Sequence, residues 1–440
     1  MFTNISSHCD LISRRFLALT LVLLLTGMTL VETASAQKYK SITPKVTLKE
    51  SKGLGSSANR ALRGGAFGGE SEAAIDNYFK NYFFLKMTQY DPNSLRGLGK
   101  NRENLLKALR GARVPKAQQH LTGLAMNYAR VMARDNFHPA VRYNATLILG
   151  QLDKQYPVGG ANPVTPVVSS TATQELLGLL EQSEFKGVKV HPSVKVGALE
   201  GLERHVQFGM EAEYRERVTK AALAVIGQDA KSLEIDNHVN NWMKCQAARV
   251  LAQQFKDGPS PQVHAALTGM IADEKMGISD RCCVSGILDL MTYTAGSGIN
   301  AKQTLVPLGK LAKAVVADGV EVARDFEELI LGNAPTGRGR SFGSRRGETG
   351  PKLERRELLS RLVQIEQGAK SVAEALDAAD KQKLDSLTTM MEPVISQSKD
   401  SRAFDIDLIR EVYKLEKSVD SLIASWQPAA APAEEPAFAE

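Results

Sequence analysis

Cysteine is scarce in this chain, with four among 440 residues, one of them at position 9. The three after residue 36, Cys245, Cys282 and Cys283, are an odd number with one adjacent pair. A disulfide-stapled extracellular scaffold uses more cysteines, evenly counted, so that class is excluded. No Cys-x-x-Cys-His occurs, which excludes covalent haem. All three cysteines lie in helical patterns beside apolar residues and read as small core residues. A bridge from Cys245 to Cys282 or Cys283 requires that adjacent helices bring them together. Aromatic residues are also few, at 6%. With alanine and leucine abundant, that shortage leans towards helix, because sheets use more β-branched and aromatic residues. There is no His-Glu-x-x-His, Walker loop, nucleophile elbow or dinucleotide fingerprint. Asp405-Ile406-Asp407 lacks the Asp/Asn and Gly that complete a calcium loop. No catalytic, cofactor-binding or metal-ligating residue is therefore assigned. After residue 36 no apolar run is long enough to span a bilayer.

The net charge of +6 is unevenly placed. Residues 37–70 carry +5 and residues 333–356 carry another +5, the first 36 residues sum to zero, and the rest is left with −4. Both basic stretches are glycine-rich. The basic balance thus belongs to solvated segments rather than to a nucleic-acid-binding face, and no nucleic-acid partner is expected.

Arg14-Arg15 precedes an uncharged, leucine-rich run from Phe16 to Val31, followed by Thr33-Ala34-Ser35-Ala36 and Gln37. A basic region, an apolar core and a small-x-small site make an export signal, cleaved between Ala36 and Gln37 with Ala34 as the second small residue. The run is about 16 residues, short of the roughly 20 that a spanning helix needs. The mature chain is expected in the periplasm or outside the cell, without a membrane span. Ser13-Arg14-Arg15-Phe16-Leu17 also resembles a twin-arginine signal, so both export routes stay open.

Six segments follow from the pattern. Residues 1–36 are the signal and 37–70 a disordered, basic, glycine-rich stretch. A helical body covers 71–332, a flexible Gly/Arg linker 333–350, a C-terminal helical module 351–426, and a disordered tail 427–440. The body opens with Ile75, Tyr78, Phe79, Tyr82, Phe83 and Leu85, an aromatic stripe at helical spacing that suits the capped end of a stacked array. From about residue 117 a unit recurs: a basic residue, a small or β-branched residue three positions on, and leucine seven positions on. Its basic members are Arg142, Lys195, Lys244 and Arg281, spaced by 53, 49 and 37 residues. Each unit is preceded by another amphipathic segment. Helix pairs at this period are the mark of an α-α superhelical solenoid, all-α in class.

His138-Pro139-Ala140-Val141-Arg142 and His191-Pro192-Ser193-Val194-Lys195 resemble the second helix of HEAT repeats, within the wider HEAT/armadillo group. The resemblance covers roughly residues 115–330. It implies that the basic residue pairs with an acid in the preceding turn, here Asp135, Asp236 and Asp273; the second unit carries no such acid. If the four basic residues faced solvent instead, they would form a ladder for an acidic peptide or polyanion. His138 and His191 occupy equivalent positions and read as turn residues before an N1 proline rather than metal ligands.

Leu408, Val412, Leu415, Val419, Leu422 and Trp426 step by four and three as a heptad seam. It fits a C-terminal intramolecular hairpin or bundle, or else a dimerising coiled coil. Three functional readings remain open. The first is an exported, non-enzymatic scaffold that binds a protein partner. The second is a polyanion- or envelope-binding structural protein acting through its Gly/Arg segments. The third is a subunit like the HEAT-like lyases that attach bilin pigments.

Overall fold

Proline and the residue before it decide where several helices begin. Pro92, Pro139, Pro192 and Pro261 each occupy a first turn, where no backbone N–H is missed. The preceding Asp91, His138, His191 and Ser260 each accept a backbone N–H of that turn. The computed structural model describes residues 38–64, 66–157, 164–332, 353, 355–400 and 405–426. The expected signal with its cleavage site at Ala34, Ala36 and Gln37, the linker 333–350 and the tail 427–440 lie outside the described residues.

The described chain is all-α, with 15 helices packed on one another. The first is α1 (Leu48–Arg63); α2 (Glu70–Tyr78) runs on through a π turn (Phe79–Phe83) into Phe84–Lys86. Then come α3 (Pro92–Arg110), α4 (Pro115–Arg134), α5 (Pro139–Leu149), α6 (Ser170–Glu181), α7 (Pro192–Gln207) and α8 (Arg215–Ile226). They are followed by α9 (Asn237–Gln254), α10 (Pro261–Ala272), α11 (Ile278–Ile287) and α12 (Lys302–Gly332). The last three are α13 (Arg356–Ala373), α14 (Ala378–Lys399) and α15 (Asp405–Trp426).

Consecutive helices pack as pairs, α4 on α5, α6 on α7, α8 on α9 and α10 on α11. The second members also lie side by side, α5 against α7, α7 against α9 and α9 against α11. Small residues make that row close: a Cβ built on Gly150 would stand 2.6 Å from the Cα of Gly201. Two short antiparallel ribbons decorate the turns. Asp153–Gln155 pairs with Val167–Val168, and Glu184–Phe185 pairs with Val188–Lys189. The second ribbon closes through Lys186 and Gly187, both at positive φ, as a two-residue hairpin requires.

Two expectations are corrected. The charge and glycine content of residues 37–70 predict disorder. Leu48–Arg63 is a helix, closed at its start by a capping box between Thr47 and Glu50. Its buried Ala58, Ala61 and Leu62 supply the apolar face that composition concealed. Upstream, Lys40 donates its N–H to the Asn136 carbonyl at 2.7 Å and Ile42 donates to the Thr88 hydroxyl at 2.9 Å, so this segment lies along the helices.

The second correction concerns 351–426, expected as a separate module. α13 packs on α11, and α15 on α12. A Cβ on Gly368 of α13 would collide with the Ser285 carbonyl oxygen of α11, so the contact is backbone to backbone. Leu408, Val412, Leu415 and Val419 of the heptad seam are buried, with Gly319 of α12 against Val412 and Gly309 against Ile423 and Trp426. That face packs against α12 of the same chain.

Candidate functional site

The basic ladder comes first, because the sequence singled it out. Arg142, Lys195 and Arg281 are only 4%, 6% and 5% exposed. Arg142 Nε donates to the Ala133 carbonyl at 3.0 Å, Lys195 Nζ to Leu180 at 3.0 Å, and Arg281 Nε to Ile271 at 2.7 Å. Ala133, Leu180 and Ile271 are each the next-to-last residue of the preceding helix. Those carbonyls lack intrahelical partners, and a cation there also meets the negative end of the helix dipole. Burial pushes the Arg142 and Lys195 pKa values down. These are helix C-caps repeated from pair to pair, with each head group bound to a carbonyl of the preceding helix.

Lys244 does not belong to the set. Counted from each N-cap, the fourth helical residue is Arg142, Lys195, Asn240 and Arg281. Asn240, buried, donates to the Gln228 carbonyl just past α8 at 3.3 Å. Lys244 lies one turn further along α9 and is half-buried. With Asn240 in place, the intervals become 53, 45 and 41 residues, more even than the sequence alignment had them. The acids are corrected too. Asp135 pairs with Lys40 at 2.8 Å, Asp236 caps α9 by accepting from the His238 N–H, and Asp273 accepts from the Lys275 N–H. His138 and His191 accept the Ala140 and Ser193 N–H groups through Nδ1, both at 3.2 Å. No cluster of three metal-ligating side chains exists among the described residues.

Behind the ladder sits a buried polar layer. Arg204 of α7 grips Asp153 with two hydrogen bonds of 2.9 Å, and reaches the Gly150 carbonyl at 3.2 Å. The next residue, His205, is fully buried, with Nδ1 at 2.8 Å from the Thr173 hydroxyl. Burial, reinforced by neighbouring Arg204, lowers its pKa to about 3. The unfolded chain takes up this proton near pH 6.5, whereas the native state refuses it until about pH 3. Stability is therefore full above pH 6.5 and falls as pH drops towards 3. The His205 contribution is a loss of about 2 kcal/mol between pH 7 and pH 5. Urea unfolding of wild type and His205→Gln at both pH values should show that difference; parallel pH profiles would refute it.

A groove of about 820 Å³ lies open to solvent between α1 and α3, floored by α2. The π turn carries Tyr82 and Phe83, and Tyr78 precedes it. The Tyr78 and Tyr82 rings stack with centroids 6.1 Å apart. A Cβ on Gly55 would stand 3.1 Å from the Tyr78 ring, so glycine there keeps the α1 wall against the floor. Asn59 lines the α1 wall, and Asn93, Asn101 and Asn104 line the α3 wall. Asp91 caps α3, and hydrogen bonds from Ser94 hold its carboxyl below the usual range. Lys86 Nζ donates to the Ser94 hydroxyl at 3.0 Å.

Each carboxamide offers an acceptor oxygen and an NH₂ donor, so it can meet both the N–H and the C=O of an extended main chain. The aromatic floor supplies apolar contact. The signal for this wall was in the sequence as Asn93, Gly97, Asn101 and Asn104 at spacings of four, four and three, one face of a helix. Asparagine carries no weight in a hydrophobic pattern, so periodicity does not mark this face. Compared with protein-family models the chain matches none, and it matches no curated protein.

Proposed function

We propose that this chain is an exported, HEAT-like helical-repeat scaffold that binds a protein partner, holding an extended stretch of it in the groove between α1 and α3. The amide-lined groove carries this reading. Asn59 stands across from Asn93, Asn101 and Asn104 over a floor of Tyr78 and Tyr82. Peptide groups can be matched there without a particular side-chain sequence. The pairing of consecutive helices and the cap repeated by Arg142, Lys195, Asn240 and Arg281 support the solenoid. The leucine-rich start and Ala34-Ser35-Ala36 support export.

The test is phage display of random linear peptides against the full-length chain, with the double variant Asn101→Ala/Asn104→Ala as the counter-screen. Enriched peptides should bind wild type and lose about tenfold in affinity against the variant, the value of one or two neutral hydrogen bonds. Enrichment that ignores the variant places binding elsewhere and sinks the groove. Binding confined to acidic peptides and abolished by salt would favour the polyanion reading instead.

A further inference from the structure

Adjacent cysteines on a helix point about 100° apart, so at most one of Cys282 and Cys283 can face a given neighbour. On α11 that divides them. Cys282 is fully buried, with Arg361 and Asp318 as its charged surroundings, on the side of α12 and α13. Cys283 is half-buried and turns to α9. Cys245 on α9 turns the other way: its thiol donates at 3.7 Å to the carbonyl of Asp280 on α11, one helical turn before Cys283 and on the same face. Two cysteines 38 residues apart in sequence are thus paired across neighbouring helices, and both are reduced.

We propose that Cys283 and Cys245 form a thiol–disulfide exchange site that closes into a disulfide stapling α9 to α11. The groups facing it are few. The Cys245 thiol and the Arg249 cation favour the Cys283 thiolate, and Asp280 opposes it. Cys245 itself is held protonated, chiefly by Cys283 beside it and by burial. Cys283, the more exposed, is therefore the attacking sulfur, since the thiolate is the nucleophile. The oxidant is a low-molecular-weight disulfide. The Cys283 thiolate attacks one of its sulfurs, breaking that S–S bond and forming a mixed disulfide. The released thiolate takes a proton from water. Cys245 then gives its proton to solvent and attacks Cys283 Sγ, forming the Cys245–Cys283 bond and expelling the second small thiol, which is protonated in turn. Two protein thiols are oxidised and one small disulfide is reduced to two thiols.

The experiment uses the full-length chain with oxidised glutathione as probe, alkylation by iodoacetamide, and tryptic digestion without reduction. Cleavage after Lys244, Arg249, Arg281 and Lys302 places the sulfurs in peptides 245–249 and 282–302. Mass spectrometry should find these two joined, and separated again by reductant. Cys282→Ser should keep the cross-link. Cys283→Ser should abolish it, and Cys245→Ser should stop at a glutathione adduct on Cys283. The oxidised wild type should also melt at a higher temperature than the reduced form. Circular dichroism on each variant, repeated with alanine at the same positions, separates loss of the thiol from loss of the fold. An undiminished cross-link in Cys283→Ser would show that Cys282 is the partner and overturn the assignment. Three thiols that stay alkylatable in the folded chain, while oxidation in denaturant bridges them, would overturn the site itself.

Discussion

Asp153→Ala is expected to destabilise the chain by about 3–5 kcal/mol, one of the two largest single-residue effects foreseen for this fold. The Asp153 side chain has no exposed surface and that of Arg204 only 13%. Burial raises the Asp153 pKa despite Arg204 beside it, which means that desolvation outweighs the attraction for this carboxylate. Such a pair adds little net stability over apolar packing, but removing one member leaves the other charge without compensation. The two hydrogen bonds of one bidentate pair are lost and the turn after α5 is loosened with them, because Arg204 also holds the Gly150 carbonyl. The double variant Asp153→Leu/Arg204→Met should recover most of the loss. Urea unfolding of the three proteins decides it. A single variant as stable as wild type, or a double variant no better than the single, would count against a desolvated pair.

Ala198→Asp should cost about 4 kcal/mol or more, and Ala247→Asp the same. Both alanines are fully buried, on α7 and α9, in the row of second helices. An aspartate there would be buried and would fold mainly in its protonated form, so the loss grows with pH above the ordinary carboxylate value. Ala198→Ser, which carries a smaller and self-satisfying hydroxyl, should be far milder. Thermal unfolding at pH 5 and pH 8 reads both the size and the pH slope. Wild-type melting in either aspartate variant would mean that these positions are not the packed seam between neighbouring pairs.

The residues that failed to read from sequence failed for a common reason. Lys244 fitted the repeat by charge and by the Ala247 and Leu251 that follow it. The position is set instead by distance from the helix start, and α9 is 18 residues long where α5 is 11. A residue one turn away, Asn240, instead meets the Gln228 carbonyl just past the end of α8, and its uncharged amide does not share the charge pattern of the other three. α1 was hidden in the opposite way. Gly53 and Gly55 weaken a helix in isolation, but the buried face of Ala58, Ala61 and Leu62 packs against α2 and outweighs the propensity.

The amino-acid sequence by itself determined the class of the fold and the beginnings of many helices. Helical periodicity, capping side chains and N1 prolines act within one turn, so they are visible without a partner. It also determined that Arg142, Lys195 and Arg281 are equivalent. Tertiary structure alone decided what those residues do. A cation four residues into a helix serves a partner or caps a carbonyl according to whether the preceding helix ends against it, and that depends on packing, not on spacing. The same holds for Cys283 over Cys282, for the heptad seam that closes on α12, and for the groove whose two walls are 30 or more residues apart in the chain. Each is a meeting of side chains distant in sequence, and only burial of the helices against one another brings such groups within reach.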